Sequence, residues 1–445
     1  MRLLATAAFV IALQTASTGA VLLVPEDYPT IGDAVAASSD GDLVLVGPGT
    51  YLEAVDFGGK QITIRSDADR DEATYDPDPA ATTIDATGLA ASAVMLFGPF
   101  NDRSPELVGF TVTGGSGTYF GSRPYPAGGG IYIDQNGGTF GPVIRSCIVS
   151  GNRVVGDGAT GGGIEVCYGT SPGPSYPEII DCLIMDNHAD YSGGGIALDT
   201  ASSSCHIWNC TIVNNSAGTR AGGLDCHHAT IDIRSCIIWG NTAGASPQIW
   251  FDDEPTVSFS DIQAEEPWPG EGNIHADPEF VDSGAGDCHL LLTSPCIDAG
   301  DPANQPCTGK DLLGSPRYLD GDLDREQRID MGALEFDNVH LDISGDATPG
   351  GTMIFTITGT PHLLVLLFIG SNPGEACLYP CGPLFFDFAS PWWVFFWGGI
   401  PVVGIYHVPV TVPYDVPVPI SLVFQNVAFR DAAGNTSNPL RVVIE

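Results

Sequence analysis

Between Gly128 and Asn241 the chain repeats short glycine-led alternations of apolar and polar residues: GGGIYID, GGGIEVC, GGGIALD and AGGLDCH. Every second residue is apolar: Ile131 and Ile133, Ile164 and Val166, Ile196 and Leu198, Leu224 and Cys226. A period of two marks a strand with one buried face. Each is followed by a second short strand that opens on cysteine and ends on asparagine: CIVSGN, CLIMDN, CTIVNN and CIIWGN. The asparagines, Asn152, Asn187, Asn215 and Asn241, lie 35, 28 and 26 residues apart. Constant strands at unequal spacing predict stacked coils whose loops vary in length. Inward residues of neighbouring coils then sit about 4.8 Å apart in one continuous core. Cys147, Cys182, Cys210 and Cys236 fall in register as a ladder of small apolar groups. The asparagine column either passes an amide from coil to coil or holds a left-handed turn, and the glycines permit a sharp bend where a Cβ would clash.

The same reading extends in both directions. Thr30 is placed to cap a short helix over residues 31–38, which Asp40-Gly41 ends. DLVLVGPGTY, KQITIRS, TTIDATG, AVMLF and ELVGFTVTGG are further brief strands between polar turns, and no amphipathic helix of ordinary length follows. The fold class is all-β: a solenoid over residues 21–336, then a β-sandwich-like module over 337–445, where apolar runs broken by Pro and Gly replace the asparagine pattern. In that module Cys377 and Cys381 are placed for a local disulfide, and the aromatic run PWWVFFW reads as core. Residues 1–20, with Arg2, an apolar LLATAAFVIAL and a small-residue TASTGA, read as a signal peptide. The expectation is a secreted or cell-surface protein with no transmembrane segment after cleavage.

These stretches carry a resemblance. The Gly/Cys/Asn coils resemble the right-handed parallel β-helix of the pectate-lyase-like superfamily. YPTIGDAVAASSDGDLVLVGPGTYLEAV is similar to the opening of pectin methylesterases and related β-helix proteins, in which a helix caps the solenoid and a PGTY.E strand begins it. GNIHADPEF, HLLLTSPCIDAGDPA and DLLGSPRYLDGDLDREQRIDMGALEF resemble the end of a group of bacterial secreted β-helix proteins. The resemblance implies a carbohydrate-directed exterior face. Enzymes of this kind place Asp or Glu there, with calcium and an Arg or Lys base in the lyases, or two or three Asp in the esterases and hydrolases.

Charge and chemistry narrow this further. A net charge of −38, with Lys only at Lys60 and Lys310, disfavours nucleic acid and anionic lipid and favours divalent cations. The 12 cysteines are even in number, as disulfides in an exported protein would require, although buried thiols account for most of them equally well. The alternation that sends Ile inward sends Asp134, Glu165, Asp199, Asp225 and His227 outward as a column. These are the candidate catalytic residues, with calcium at Asp199 and Asp225 as one option. The second calcium candidate is Asp320, Asp322 and Asp324, whose loop lacks the glycine and the final acid of an EF-hand. His188, His206, His227 and His228 match no recurring metal-ligand spacing. No Lys lies on the repeat, Arg220 reads as part of the turn before its strand, and Arg145 and Arg234 fall on a different strand of the coil. The column therefore reads as a solvated face, and the favoured function is binding of extended polysaccharide without catalysis. A calcium-assisted polysaccharide lyase or hydrolase and a structural or adhesive envelope protein are the alternatives. The insertions at residues 113–127 and 168–177 are the natural cleft walls. Asp330 and Glu335 are expected to close the last coil.

Overall fold

The computed structural model describes residues 19–336 except 67–78, 120–123, 135–139, 168–176, 200–203, 228–229, 292, 304–308 and 319–326, and beyond residue 338 the backbone of ten strands. The signal-peptide reading, the Asp320, Asp322, Asp324 loop, His228, Cys381 and PWW lie outside the described residues.

Three parallel sheets, of seven, nine and eight strands, are visited in turn by successive coils. One coil runs Ile131–Asp134 in the first sheet, Val143–Arg145 in the second and Ile148–Ser150 in the third, then returns through Arg153–Val154 to Ile164–Cys167. The chain is a parallel β-solenoid, as the repeat predicts. Strand pairing holds the expected register, with Ile131 on Ile164, Ile164 on Ile196 and Ile196 on Leu224. The pairing also adds coils that the repeat alone did not mark, through Val94–Phe97 before it and Ile249–Phe251 after it.

The core is a column of inward residues with no solvent exposure, including Ile133, Ile164, Val166, Ile196 and Leu224. The bend between the second and third sheets is made by one left-handed residue per coil: Ser146, Asp181, Asn209 and Ser235, with φ of 48°, 53°, 51° and 50°. The next residue is the ladder cysteine, fully buried in each case. The nine cysteines whose side chains are described are free thiols. Cys182, Cys210 and Cys236 each donate to the carbonyl two residues back and to one on the preceding coil. They are core hydrophobes, and a disulfide framework finds no support among them.

The asparagine column takes the first of its two predicted roles. Asn152 Nδ2 donates to Asn187 Oδ1, Asn187 to Asn215 and Asn215 to Asn241, each at 3.0 Å. Gln248 ends the series by accepting from Asn241 Nδ2 at 2.8 Å. The left-handed turn falls elsewhere. Gly128, Gly161 and Gly193 take it before the first-sheet strand, with φ of 61°, 64° and 63°, and Ala221 follows at 52°. The third glycine of each triplet serves a different need: a Cβ at Gly163 would lie 2.6 Å from the Gly195 carbonyl on the next coil.

Both ends of the solenoid are closed. At the start, Thr30 Oγ1 accepts from the Asp33 amide and caps the helix Ile31–Ala37. Glu53, the acid of PGTYLE, accepts from the Ile31 and Gly32 amides, so two donors left over at the helix start are satisfied. At the far end Trp268 packs against the core, and Asn273 accepts from the Ser260 amide and donates to the Val257 carbonyl.

The segment around residues 294–336 corrects an expectation. Asp330 and Glu335 do not sit on the end of the solenoid; they lie along its side. Arg317, fully buried, donates to Asp181 at 2.7 Å and to Glu335 at 2.8 Å. Gly332 N–H donates to the Ser235 carbonyl and Ala333 N–H to Thr211 Oγ1, so one clasp spans three coils. Met331, Leu334 and Phe336 bury themselves with the outward residues of the third sheet, Leu183, Met185, Val213 and Ile237. The reason is the face beneath: those strands are apolar on both sides and need a cover.

Burial pushes Asp330 up to about 7, against the pull of amide donors from Asp298 and Phe336. Its folded form keeps a proton that the unfolded form releases near pH 3.8. The folded state therefore binds more protons between those values, and stability falls as pH rises through that window, by about 1.4 kcal/mol per pH unit. Urea unfolding at pH 4.5 and 7.5 checks this. Asp330→Asn is expected to flatten the difference; an unchanged slope in that variant contradicts the assignment.

Beyond residue 338 the strands are antiparallel. Val339–Gly345, Thr352–Gly359 and Ile405–Thr411 form one sheet, and Val394–Gly399, Leu364–Gly370 and Ile420–Arg430 lead a second. Among the described residues no helix is long and apolar enough to cross a membrane.

Candidate functional site

The outward positions of the first sheet form two adjacent columns. One runs Met95, Tyr132, Glu165, Ala197, Asp225, Trp250; the other runs Phe97, Asp134, Cys167, Asp199, His227. The predicted column of acids therefore exists as two, and most of it is not solvated. Asp134, Glu165 and Asp225 are 2%, 0% and 4% exposed, while Asp199 faces solvent and His227 is half-buried. The reading of the whole column as a solvated face is corrected at those three acids. Covering chain, invisible to strand alternation, shields them.

The columns divide by chemistry. Around Tyr132 the surface is closed and apolar: Tyr132 and Cys167 bury against Ala127, with Met95 and Phe97 packed alongside. Cys167 Sγ donates to the Tyr132 hydroxyl at 3.1 Å. Beyond this plug a cleft of about 410 Å³ opens over Glu165, Ala197, Asp199, Asp225 and His227. Ala197 is the small residue between Glu165 and Asp225. Two rungs separate those acids, roughly 9–10 Å at the backbone.

The cleft wall comes from a position five residues before the outward acid. Thr160, Ser192 and Arg220 occupy equivalent places on successive coils and bridge to one another. The left-handed turn that follows each of them folds the chain back, so that this residue lies beside the outer face of its own strand. Arg220 Nη2 is thereby 3.5 Å from Asp225 Oδ2. Its guanidinium lies 3.6 Å from the centroid of Trp250 and 5.5 Å from that of Tyr191. Tyr125, from the first predicted insertion, and Tyr191 are the aromatic residues that line the cleft among those described, while Trp250 backs Arg220. All of the second insertion but Pro177 lies outside the described residues.

Burial raises the pKa of Asp225 above the ordinary carboxylate range, although Ser192, Arg220 and His227 pull it down. Asp225 Oδ1 is buried and makes no hydrogen bond among the described residues. His227 Nδ1 stands 3.2 Å from Asp252 Oδ2, and its ring is tilted against Trp250 at 5.8 Å. A buried carboxylate with one oxygen unbonded among the described residues, an acid two rungs away and aromatic side chains are features of a site for a hydroxyl-rich, flat-ringed ligand.

Arg220 is the cleft residue that reading the sequence set aside as part of a turn. Its signal was there: Thr160 precedes Glu165 by five residues as Arg220 precedes Asp225. Trp250 was missed for a different reason, since its coil reads SPQIWF without the leading glycines. Arg145 and Arg234 do belong to the second sheet, as expected. His188, His206 and His227 stand on three different sheets and do not meet. Among the described residues no group of three or more His, Cys, Asp or Glu is arranged to hold a metal ion. No family model matches the chain, and no curated protein matches it significantly.

Proposed function

We propose that this is a secreted right-handed parallel β-helix protein, of the pectate-lyase-like kind, that binds extended polysaccharide in the cleft over Glu165 and Asp225. The observation that supports this best is the combination of aromatic side chains with a buried Asp225 oxygen that makes no hydrogen bond among the described residues, on a long flat sheet. Stacked strands repeat at about 4.8 Å, and a chain-like ligand can lie along or across them. The right-handed crossover is the one that parallel strands adopt almost without exception.

A polysaccharide hydrolase is the second reading, favoured by Asp225, whose raised pKa suits a proton donor, and by Glu165 as a second acid. Calcium at Asp199 and Asp225 draws less support, because Arg220 already occupies Asp225.

Titration calorimetry with a panel of soluble polysaccharides, with reducing-end release measured in parallel, tests both. Trp250→Ala removes the surface on which Arg220 rests and is expected to weaken binding at least tenfold, about 1.4 kcal/mol. Full affinity in that variant would place the ligand elsewhere. New reducing ends that disappear in Glu165→Gln or Asp225→Asn would establish the hydrolase reading.

A further inference from the structure

Away from the cleft, the short strands that return each coil to the first sheet carry a second group of polar side chains. Arg153–Val154, His188–Ala189 and Ser216–Ala217 pair in parallel, with Arg153, His188 and Ser216 in register on successive coils. Ser216 Oγ lies 2.8 Å from His188 Nδ1, and His188 Nε2 lies 3.0 Å from Asp190 Oδ1. Asp190 is fixed from a further side: Oδ2 accepts from the Gly156 amide at 2.9 Å, and Arg153 Nη2 stands 3.7 Å from Oδ1. The hydrogen bond from His188 holds the Asp190 carboxyl below the usual carboxylate range, so it is ionised and can only accept. The proton of the neutral imidazole is thereby placed on Nε2. Nδ1 is left as an acceptor, with Ser216 O–H as its donor. Nucleophile, base and orienting acid are in line, each within hydrogen-bond reach of the next.

Stacking alone does not call for this set, since Arg153 precedes it in the column and Thr242 follows, paired with Ser216. The scaffold beneath is rigid. Asn187 and Asn215, the residues just before His188 and Ser216, are joined in the asparagine column at 3.0 Å. The group is open to solvent, with the His188 and Asp190 side chains 25% and 34% exposed and Ser216 half-buried.

We infer that Ser216, His188 and Asp190 form a second site, a serine-type site that hydrolyses carboxylic esters, independent of the polysaccharide reading. Ser216 Oγ attacks the ester carbonyl carbon, and its proton passes to His188 Nδ1. The bond from that carbon to the alcohol oxygen breaks, the leaving oxygen takes the proton, and the acyl group stays on Ser216. Water then attacks the acyl carbon and gives a proton to Nδ1. Ser216 Oγ leaves with that proton, and the carboxylic acid departs. His188 is the catalytic base and acid, and Asp190 is a positioning residue that fixes the tautomer of its ring.

The probes, used on the full chain, are a fluorophosphonate and p-nitrophenyl acetate. A nucleophilic serine traps the first by forming an Oγ–P bond and releasing fluoride; hydrolysis of the second releases p-nitrophenolate. Peptide mapping is expected to find Ser216 labelled faster than any other serine, and ester hydrolysis is expected to be lost in Ser216→Ala. General-base catalysis contributes about 10²–10⁴-fold, so His188→Gln should slow both reactions at least tenfold. Asp190→Asn keeps an oxygen for the Gly156 amide but no longer fixes the proton on Nε2. It should also slow both at least tenfold, with the urea midpoint little changed. The two variants act on different members of the triad, so either keeps the test decisive if the other folds poorly.

No label at Ser216, or an unchanged rate in His188→Gln or Asp190→Asn, overturns the inference. Labelling of Ser216 without ester hydrolysis overturns it as well, because the serine would be nucleophilic without turning over an ester. Neither probe is a carbohydrate, so each of these outcomes leaves the reading of the cleft where it stands.

Discussion

Arg317→Met is expected to lower the stability of the solenoid by about 3–5 kcal/mol, the usual cost of removing one partner from a buried charge cluster. Arg317 has no exposed surface and links Asp181, in the bend between the second and third sheets, to Glu335 in the clasp. It also donates to the Gly332 and Ala333 carbonyls. Burial opposes its charge, but the carboxylates of Asp181, Glu335 and Asp311 more than compensate, and its pKa rises. Methionine fills the space and leaves Asp181 and Glu335 without their cation. The urea midpoint reports the loss. Adding Glu335→Gln to Arg317→Met should recover part of it, because one uncompensated carboxylate is gone. A loss below about 1 kcal/mol in the single variant would mean that apolar contact alone holds the clasp.

Asn215→Ala is expected to cost about 3 kcal/mol, and more than Asn152→Ala or Asn241→Ala. The Asn215 amide donates to the Ile184 carbonyl at 2.9 Å and to Asn241 Oδ1 at 3.0 Å. Its oxygen accepts from both the backbone and the side chain of Asn187. Alanine strands donors and acceptors on three coils in a region where no water reaches them, and each unpaired group costs about 1–3 kcal/mol, non-additively. At the end of the column Gln248 can still serve part of the neighbouring group, so the same truncation at Asn241 costs less. Thermal melts of the three variants give the ranking. Equal losses would show that the ladder behaves as separate bonds and not as a connected column.

The difference between what the repeat revealed and what it hid has a physical basis. Ile164, Cys182 and Asn187 announce themselves because a solenoid stacks like on like, so one register repeats in sequence and in space. The start of the helix is equally legible, since a cap is a local event between Thr30 and Asp33. Asp225 and Glu165 were correctly sent outward by alternation, yet their burial depends on covering chain that strand periodicity does not encode. Arg220 was hidden because its partnership with Asp225 requires the left-handed turn at Ala221, whose geometry belongs to the coil and not to the residue type. The clasp was the least legible part. Arg317 and Asp181 are 136 positions apart, and nothing in either sequence neighbourhood points to the other. Their pairing follows from the third sheet being apolar on its outer side, which Leu183 and Met185 do show once the inward set is known.

The most direct test of the central claim, that the cleft over the first sheet is where polysaccharide binds, is hydrogen–deuterium exchange with and without a saturating oligosaccharide identified by titration. Slowed exchange in peptides that contain 156–165, 190–199 and 219–227 is the predicted footprint, with little change across the second sheet or after residue 338. Protection confined to the strands beyond residue 338, with those three segments unaffected, would contradict the account and move the binding site off the solenoid.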